Sequence, residues 1–429
     1  MKDTMTQDYL GAEVSAGALL GLPALRPIAV RRNGARTETD VAYYRCQVAQ
    51  EQGKPCEGCV VHDRRPAKRC WPDVPHRGPV GLRPVPVRLR KDGCTGMPGE
   101  PECISPRFNM TKSAAAWILL ESMDETFARV ADKVGCAAGR PGQIFAAIRP
   151  ALDAWQPSEL PRRIGIDGVH THDGTYTVIA GLEPNGKHKG EVLELLDTHD
   201  PKKVKEKLEN WPGRDTVEVV ALDPSSSLRE VVRAVFPNAR LVVDKRHVQR
   251  RGLTCAHAVR KRHAGAIDKK RSRNAAEAPA KKALARALDK RVADLNEADH
   301  AVIAAAGPLV GLAYTAKEQF SAIYDSCHAP SEAADAVEAW WRGLDPALLD
   351  FFRPAYLLVS RTWGAEFREY FRVSPRVTTA FVEACNRTLR GFEADARGNA
   401  GHARLRAQML FRFGALSADQ LTAWLAAAL

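Results

Sequence analysis

The chain has 429 residues, of which 45% are hydrophobic and 27% charged, a composition typical of a folded protein with more than one domain. It contains no run of about 18 uncharged apolar residues and no basic-then-apolar start, which argues against membrane and exported proteins. We therefore expect a cytoplasmic protein. The net charge of +12 favours a polyanionic partner, and nucleic acid is the first candidate.

The cysteines predict a zinc-binding segment. Six of the ten lie within residues 46–103, and such clustering in a cytoplasmic chain indicates a metal site rather than disulfides. A C-x-x-C knuckle places two thiolates on one tight turn, where they can share a tetrahedral Zn²⁺. The predicted ligands are Cys56, Cys59, Cys94 and Cys103, with Cys46 and Cys70 as replacements for the second pair. The surrounding segment is predicted to be a small β-rich unit with a structural metal, and free cysteines are the alternative.

The next segment predicts a helix-turn-helix. In FARVADKVGCAAGRPGQIFAAI, apolar residues follow helical spacing on both sides of a turn at Gly135. The second helix is predicted to begin near Pro141 and to end before Pro150. It would enter a major groove and expose Arg140 and Gln143 to base edges. A three-helix unit without DNA contact is the alternative.

Two aspartates end apolar, strand-like runs in the region that follows. IGID ends in Asp167, and VEVVALD ends in Asp223. The ends of strands line a common crevice in an open sheet, so these carboxylates can converge, whereas a single aspartate there is more often a turn former. The next strand, ARLVVD, brings Asp244 and His247 beside that crevice. Converging carboxylates suit Mg²⁺, which predicts phosphoryl transfer on DNA.

The positive charge is concentrated in one segment. Between Lys245 and Arg291, sixteen Lys and Arg stand against three acidic residues, which accounts for the whole net charge. This density and single sign favour contact with DNA phosphates over an ordinary solvated helix face. The predicted phosphate contacts are Lys245, Arg246, Arg250, Arg251, Arg260, Lys261, Arg262, Lys269, Lys270 and Arg271.

A family resemblance now joins these features. IGIDGVHTHDGTYTVIAGLE and VEVVALDPSSSLREVVRAVFPNARLVVDKRHV resemble the RNase H-like Asp-Asp-Glu core of the ISL-three family of bacterial insertion-sequence transposases. In that family a later helix, here resembling TTAFVEACNRTLRGFEADARGNAGHARLRAQMLF, carries the third acid. The resemblance implies Mg²⁺ or Mn²⁺ ligands at Asp167, Asp223 and Glu383 and supporting roles for Asp244, His247 and Asn386. The family usually has glycines around its glutamate, where this chain has Phe381, Val382 and Ala384.

The resemblance also implies a domain order. We expect an N-terminal strand and zinc unit in residues 1–108 and a helix-turn-helix in 109–155. An α/β RNase H-like core is expected in 160–249 and 371–429, interrupted by an all-helical insertion in 250–370.

The function implied is a transposase that binds terminal inverted repeats and then cuts and joins DNA strands with Mg²⁺. It would act as a homodimer or larger assembly on double-stranded DNA and be associated with the bacterial nucleoid. The alternatives are a transposase-derived DNA-binding regulator without catalysis and a junction-resolving nuclease. Metal-dependent cleavage and strand joining distinguish the three.

Overall fold

The computed structural model describes residues 26–33, 36–44, 60–64, 71–73, 80–90, 103–172, 174–183, 190–263, 277–396 and 401–429. The chain divides into two compact units, Met1–Trp155 with Leu416–Leu429, and Gln156–Ala415. Among the helices in these described ranges, none combines the length and the apolar character needed to cross a membrane.

The first unit begins with a mixed sheet. Its strands are β1 (Arg26–Asn33), β2 (Arg36–Tyr44), β3 (Val60–Arg64), β4 (Trp71–Asp73) and β5 (Val80–Arg90), in the order β1-β2-β5-β3, with β4 also paired to β5. The predicted zinc ligands Cys56, Cys59 and Cys94, and their alternatives Cys46 and Cys70, lie outside the described residues. Cys103 is described and half-buried. The zinc site therefore stays a prediction.

A short hairpin, β6 (Ile104–Ser105) and β7 (Met110–Thr111), leads into helices α1 (Lys112–Glu121), α2 (Phe127–Val134) and α3 (Arg140–Ala154). Gly135 ends α2 in the left-handed conformation, with φ 67°. Helix α3 differs from the prediction, because it continues through Pro150. The buried residues Ile148 and Leu152 lie on either side of that proline, and their packing outweighs the hydrogen bond that proline removes.

The second unit contains a mixed sheet of order β10-β9-β8-β11-β12. Its elements are β8 (Arg163–His170), β9 (Thr175–Gly181), β10 (Glu191–Leu196), α4 (Pro201–Glu209), β11 (Val219–Leu222), α5 (Ser226–Val235) and β12 (Arg240–Val243). The first three strands are antiparallel, and β11 and β12 run parallel to β8. Helix α5 buries one apolar face, formed by Leu228, Val231, Val232 and Val235. A mixed sheet with helices agrees with the predicted α/β core.

Helices fill the next segment. They are α6 (Lys245–His263), α7 (Glu277–Asp289), α8 (Glu297–Ala305), α9 (Pro308–Ser326), α10 (Pro330–Arg342), α11 (Leu349–Leu357) and α12 (Gly364–Arg372). The described residues between 245 and 372 contain no strand. Helix α6 packs closely on α9 at Gly252, where an added Cβ would lie 2.8 Å from Phe320. Buried Glu366 in α12 accepts hydrogen bonds from Arg229 and Arg233 of α5, which ties the helices to the sheet.

Three helices close the chain: α13 (Ala380–Ala396), α14 (His402–Arg412) and α15 (Ala418–Ala428). Helix α13 packs on β8 and β9, and α14 packs on β10. Helix α15 differs from the predicted domain division, which assigned it to the catalytic core. It packs against α1 and α3 through buried Leu421 and Leu425 and belongs to the first unit.

Candidate active site

Strand register brings the first two aspartates side by side. Strand β11 pairs in parallel with β8, and Leu222 lies opposite Ile166, so the next residues along the two strands are Asp223 and Asp167. One detail of the prediction was wrong, since Asp167 is not the tip of its strand. Strand β8 continues to His170, and Asp167 pairs with a residue of β9. The two carboxylates nevertheless lie next to each other, because the parallel pairing of β8 and β11 aligns Asp167 with Asp223, the residue that follows β11.

The segment after β12 contributes Asp244 and His247. The His247 ring nitrogen Nδ1 lies 2.7 Å from Asp223 Oδ1 and 2.9 Å from Asp244 Oδ2. Asp244 is buried and also accepts hydrogen bonds from the backbone N–H groups of His247 and Thr379, at 3.0 and 3.2 Å. The imidazole therefore links the carboxylates that follow two neighbouring parallel strands.

Helix α13 contributes Glu383 and Asn386. The helix lies close to β8, because Gly165 leaves room for Val382: a Cβ added to Gly165 would lie 2.8 Å from that side chain. Asn386 is buried and donates from Nδ2 to Asp167 Oδ2 at 2.6 Å. Glu383 accepts a hydrogen bond from Arg246 of α6.

These side chains surround one cavity of about 590 Å³. Its walls carry carboxylates, an amide and several arginines. The lining residues are Asp167, Gly168, His170, His199, Asp223, Pro224, Ser225, Arg246, His247, Arg250, Glu383, Asn386, Arg387 and Arg390. A polyanion can therefore enter along arginines while its reacting group reaches carboxylates.

The pKa values reflect this crowding. Burial, together with the hydrogen bond and repulsion from Asp223, raises the pKa of Asp167 to about 8. Burial alone would lower the pKa of His247, but Asp223 and Asp244 outweigh it and raise that pKa to about 10. For Asp244, burial is outweighed by hydrogen bonds from His247 and Thr379, so its pKa is lowered. Perturbed groups in a shared cleft are typical of a reactive site.

The donor set fits a divalent cation. Ligand atoms of Asp167, Asp223 and His247 lie within 4.8 Å of one another, and so do those of Asp244, His247 and Glu383. Asp167 Oδ1 is buried, and among the described residues no N–H group or hydroxyl donates to it. A hard cation would supply the missing partner and relieve the repulsion between the aspartates. Oxygen donors at this spacing suit Mg²⁺ or Mn²⁺ better than Zn²⁺.

Comparison with protein families supplies the decisive observation. The model of the ISL3 (ISL-three) DDE transposase family, described as a transposase, matches residues 164–409, more than half of the chain. The chain belongs to this family. The match runs from β8 into α14 and includes every residue that lines the cavity. Membership implies an enzyme that acts on DNA. A comparison with curated proteins gives no match.

The basic residues predicted to contact DNA differ from one another in their position and exposure. Arg246 and Arg250 line the cavity, Lys245 pairs with Asp325 at 2.7 Å, and the remaining exposed positions are Arg251, Lys261 and Arg262. The prediction for Arg260 is wrong. This residue is only 7% exposed and lies on the buried face of α6, so it is not a phosphate contact. Lys269, Lys270 and Arg271 lie outside the described residues. In the first unit, Gln143 is exposed and Arg140 is half-buried.

Sequence reasoning missed four ionisable residues that line the cavity. Arg387 and Arg390 lie one and two turns after Glu383, and helical spacing alone would have assigned them to the same face. His170 and His199 carried no such signal. The Nδ1 of His199 lies 3.0 Å from Thr177 Oγ1, a contact that depends on strand pairing rather than on a local pattern.

Proposed function

We propose that this transposase cuts and joins DNA strands at a divalent metal site formed by Asp167, Asp223 and Glu383. The observation that carries the proposal is the parallel register of β8 and β11, which sets two carboxylates next to each other. Glu383 borders the same cavity although it lies far along the chain. Each acid comes from a different element, so the shared cavity is not the product of one local motif.

The surrounding residues have distinct roles in this proposal. Asn386 orients Asp167 through its 2.6 Å hydrogen bond, and His247 holds Asp223 and Asp244 in a fixed arrangement. When bound, Mg²⁺ or Mn²⁺ would activate an attacking water or 3′-hydroxyl and stabilise the departing oxygen. Arg250 and its neighbours on the cavity rim would hold the phosphates of the reacting strand.

Recognition of the DNA ends belongs to the first unit in this proposal. Helix α3 would read base edges through exposed Gln143 and through Arg140, and the predicted zinc unit would add contacts to the same end. Exposed basic residues of α6 would contact the DNA backbone without sequence preference. Pairing of two transposon ends requires a homodimer or a larger assembly.

The test is the substitution Asp223→Asn, assayed on labelled DNA carrying the ends of the element. We expect the variant to bind the ends like the unmodified protein but to lose cleavage by at least about 10³-fold, because one metal ligand is gone. Asp294→Asn is the matched control, since Asp294 is exposed and lies away from the cavity. Nicking by the Asp223→Asn protein at an undiminished rate would contradict the assignment.

A further inference from the structure

Glu383 differs from the strand aspartates in its partner. Arg246, the second residue of α6, donates to Glu383 Oε2, and the two side chains are 65% and 18% exposed. Asp167 is paired instead with an amide, from Asn386, and with the neighbouring carboxylate of Asp223. The third acid thus already has an exposed cationic partner from the protein itself.

The positions of the ligand atoms are consistent with this pairing. The ligand atoms of Asp167, Asp223 and His247 lie close enough together to share one ion. The carboxylate of Glu383 is close instead to Asp244 and His247. The carboxylate of Glu383 is therefore in the cavity but is not grouped with both strand aspartates. Binding of Glu383 to the same ion as these aspartates therefore competes with its charge pairing to the guanidinium of Arg246.

The energetics make such a release easy. The guanidinium of Arg246 is largely exposed, so water screens its pair with Glu383, and the pair contributes only about 0–1 kcal/mol. A guanidinium binds phosphate through two parallel, charge-assisted hydrogen bonds, which are stronger. Arg250 lies one turn further along α6 and also lines the cavity, so a phosphate entering there meets both guanidinium groups.

We propose that Arg246 is a positioning residue that withholds Glu383 from the metal until a DNA phosphate binds its guanidinium. Arg246 and the metal ion compete for one carboxylate, so DNA and metal favour each other's binding. Substrate binding then completes the metal site, and the protein without DNA has a weakened one. This inference rests on the proposed metal site and adds that all three acids are available to the metal only after DNA has bound.

The first experiment measures Mn²⁺ affinity without DNA, by titration calorimetry and by electron paramagnetic resonance of free Mn²⁺. Four proteins are compared: unmodified, Arg246→Gln, Glu383→Gln and the double variant. We expect Arg246→Gln to raise Mn²⁺ affinity about fivefold when Glu383 is present, the factor that corresponds to about 1 kcal/mol. With Gln at position 383, the same substitution should change the affinity by less than about twofold.

The outcomes separate the inference from simpler explanations. An equal rise in both backgrounds would mean that Arg246 only repels the cation, and no rise or a fall would also overturn the inference. Arg250→Gln is the matched control. Arg250 lines the same cavity, but the arginine that donates to Glu383 is Arg246. Asp223→Asn must weaken Mn²⁺ binding; if it does not, the proposed metal site fails. Circular dichroism and the thermal midpoint confirm that each variant is folded.

The second experiment tests the phosphate with the same four proteins in EDTA. A random-sequence 20-base-pair duplex serves as the probe, and its affinity is measured across salt concentrations. Glu383→Gln should remove the competitor for Arg246 and raise the duplex affinity up to about fivefold, with little change in the slope of log affinity against log salt, because Arg246 contacts a phosphate in both complexes. In the Arg246→Gln background, Glu383→Gln should change the affinity by less than about twofold, and Arg246→Gln itself should make the slope shallower by about one. An equal effect in both backgrounds would show that only the lost negative charge matters.

Discussion

Two buried carboxylates on one sheet have opposite surroundings. Glu194 in β10 is 1% exposed, and its oxygens accept from Arg406 Nε at 2.5 Å and Nη2 at 2.9 Å, with Lys207 at 3.2 Å. Asp167 in β8 is 3% exposed, but its hydrogen-bonding neighbours are an amide and another carboxylate, with the imidazole of His247 nearby. Both acids are removed from water, and only Glu194 has a guanidinium beside it.

This difference separates a structural acid from a reactive one. A buried carboxylate loses its hydration, and a bidentate guanidinium restores most of that loss within the fold. The carboxylate of Glu194 is therefore fully paired within the protein, and its pairing with Arg406 fixes α14 against the sheet. Asp167 keeps a raised pKa, because burial and the neighbouring Asp223 outweigh the charge of His247, and a cation from outside the chain would stabilise its carboxylate further. Local burial alone would not have told the two apart.

The largest expected effect comes from breaking the structural pair. Arg406→Met leaves Glu194 buried without its main partner, and we expect the free energy of unfolding to fall by about 3–5 kcal/mol. Urea denaturation measures this loss. The double variant Glu194→Leu with Arg406→Met should recover most of the stability, because no charge then remains unpaired. Single and double variants of equal stability would contradict a structural role for the pair.

A smaller effect is expected from filling the reactive site. Mn²⁺ at about a hundred times its dissociation constant should stabilise the folded protein by about 2.7 kcal/mol, because it binds only the folded state. The measurement is the thermal midpoint with and without Mn²⁺. Asp167→Asn should abolish the shift, and the exposed control Asp294→Asn should keep it. A shift of the same size in the Asp167→Asn protein would mean that the cation binds elsewhere.

Those site residues that lie in a local sequence pattern could be predicted from the sequence. Asp167 and Asp223 follow apolar strand-like runs, and the parallel pairing of these runs aligns the two aspartates, although β8 continues past Asp167. Glu383 needed the family resemblance, since 160 residues separate it from Asp223 and no periodicity connects them.

Contacts across the fold could not be predicted in this way. Glu194 and Arg406 lie 212 positions apart, and neither residue stands in a motif. The pairing of Arg246 with Glu383 depends on the packing of α6 near α13, so the same arginine was predicted only as a phosphate contact. Pro150 failed as a helix stop for a related reason, because tertiary packing of α3 outweighed a local rule.

The smallest expected effect is a pH dependence of the metal-free protein, measured by urea unfolding in EDTA. The pKa of Asp167 is raised to about 8 from an ordinary 3.8, and that of His247 to about 10 from 6.5. Each folded pKa lies above the unfolded one, so the folded state binds more protons and loses stability as the pH rises through these values. We expect a fall of about 1–2 kcal/mol between pH 8 and 9. His247→Gln should flatten this fall, and a flat or rising curve for the unmodified protein would show that the cavity groups are not held in these protonation states.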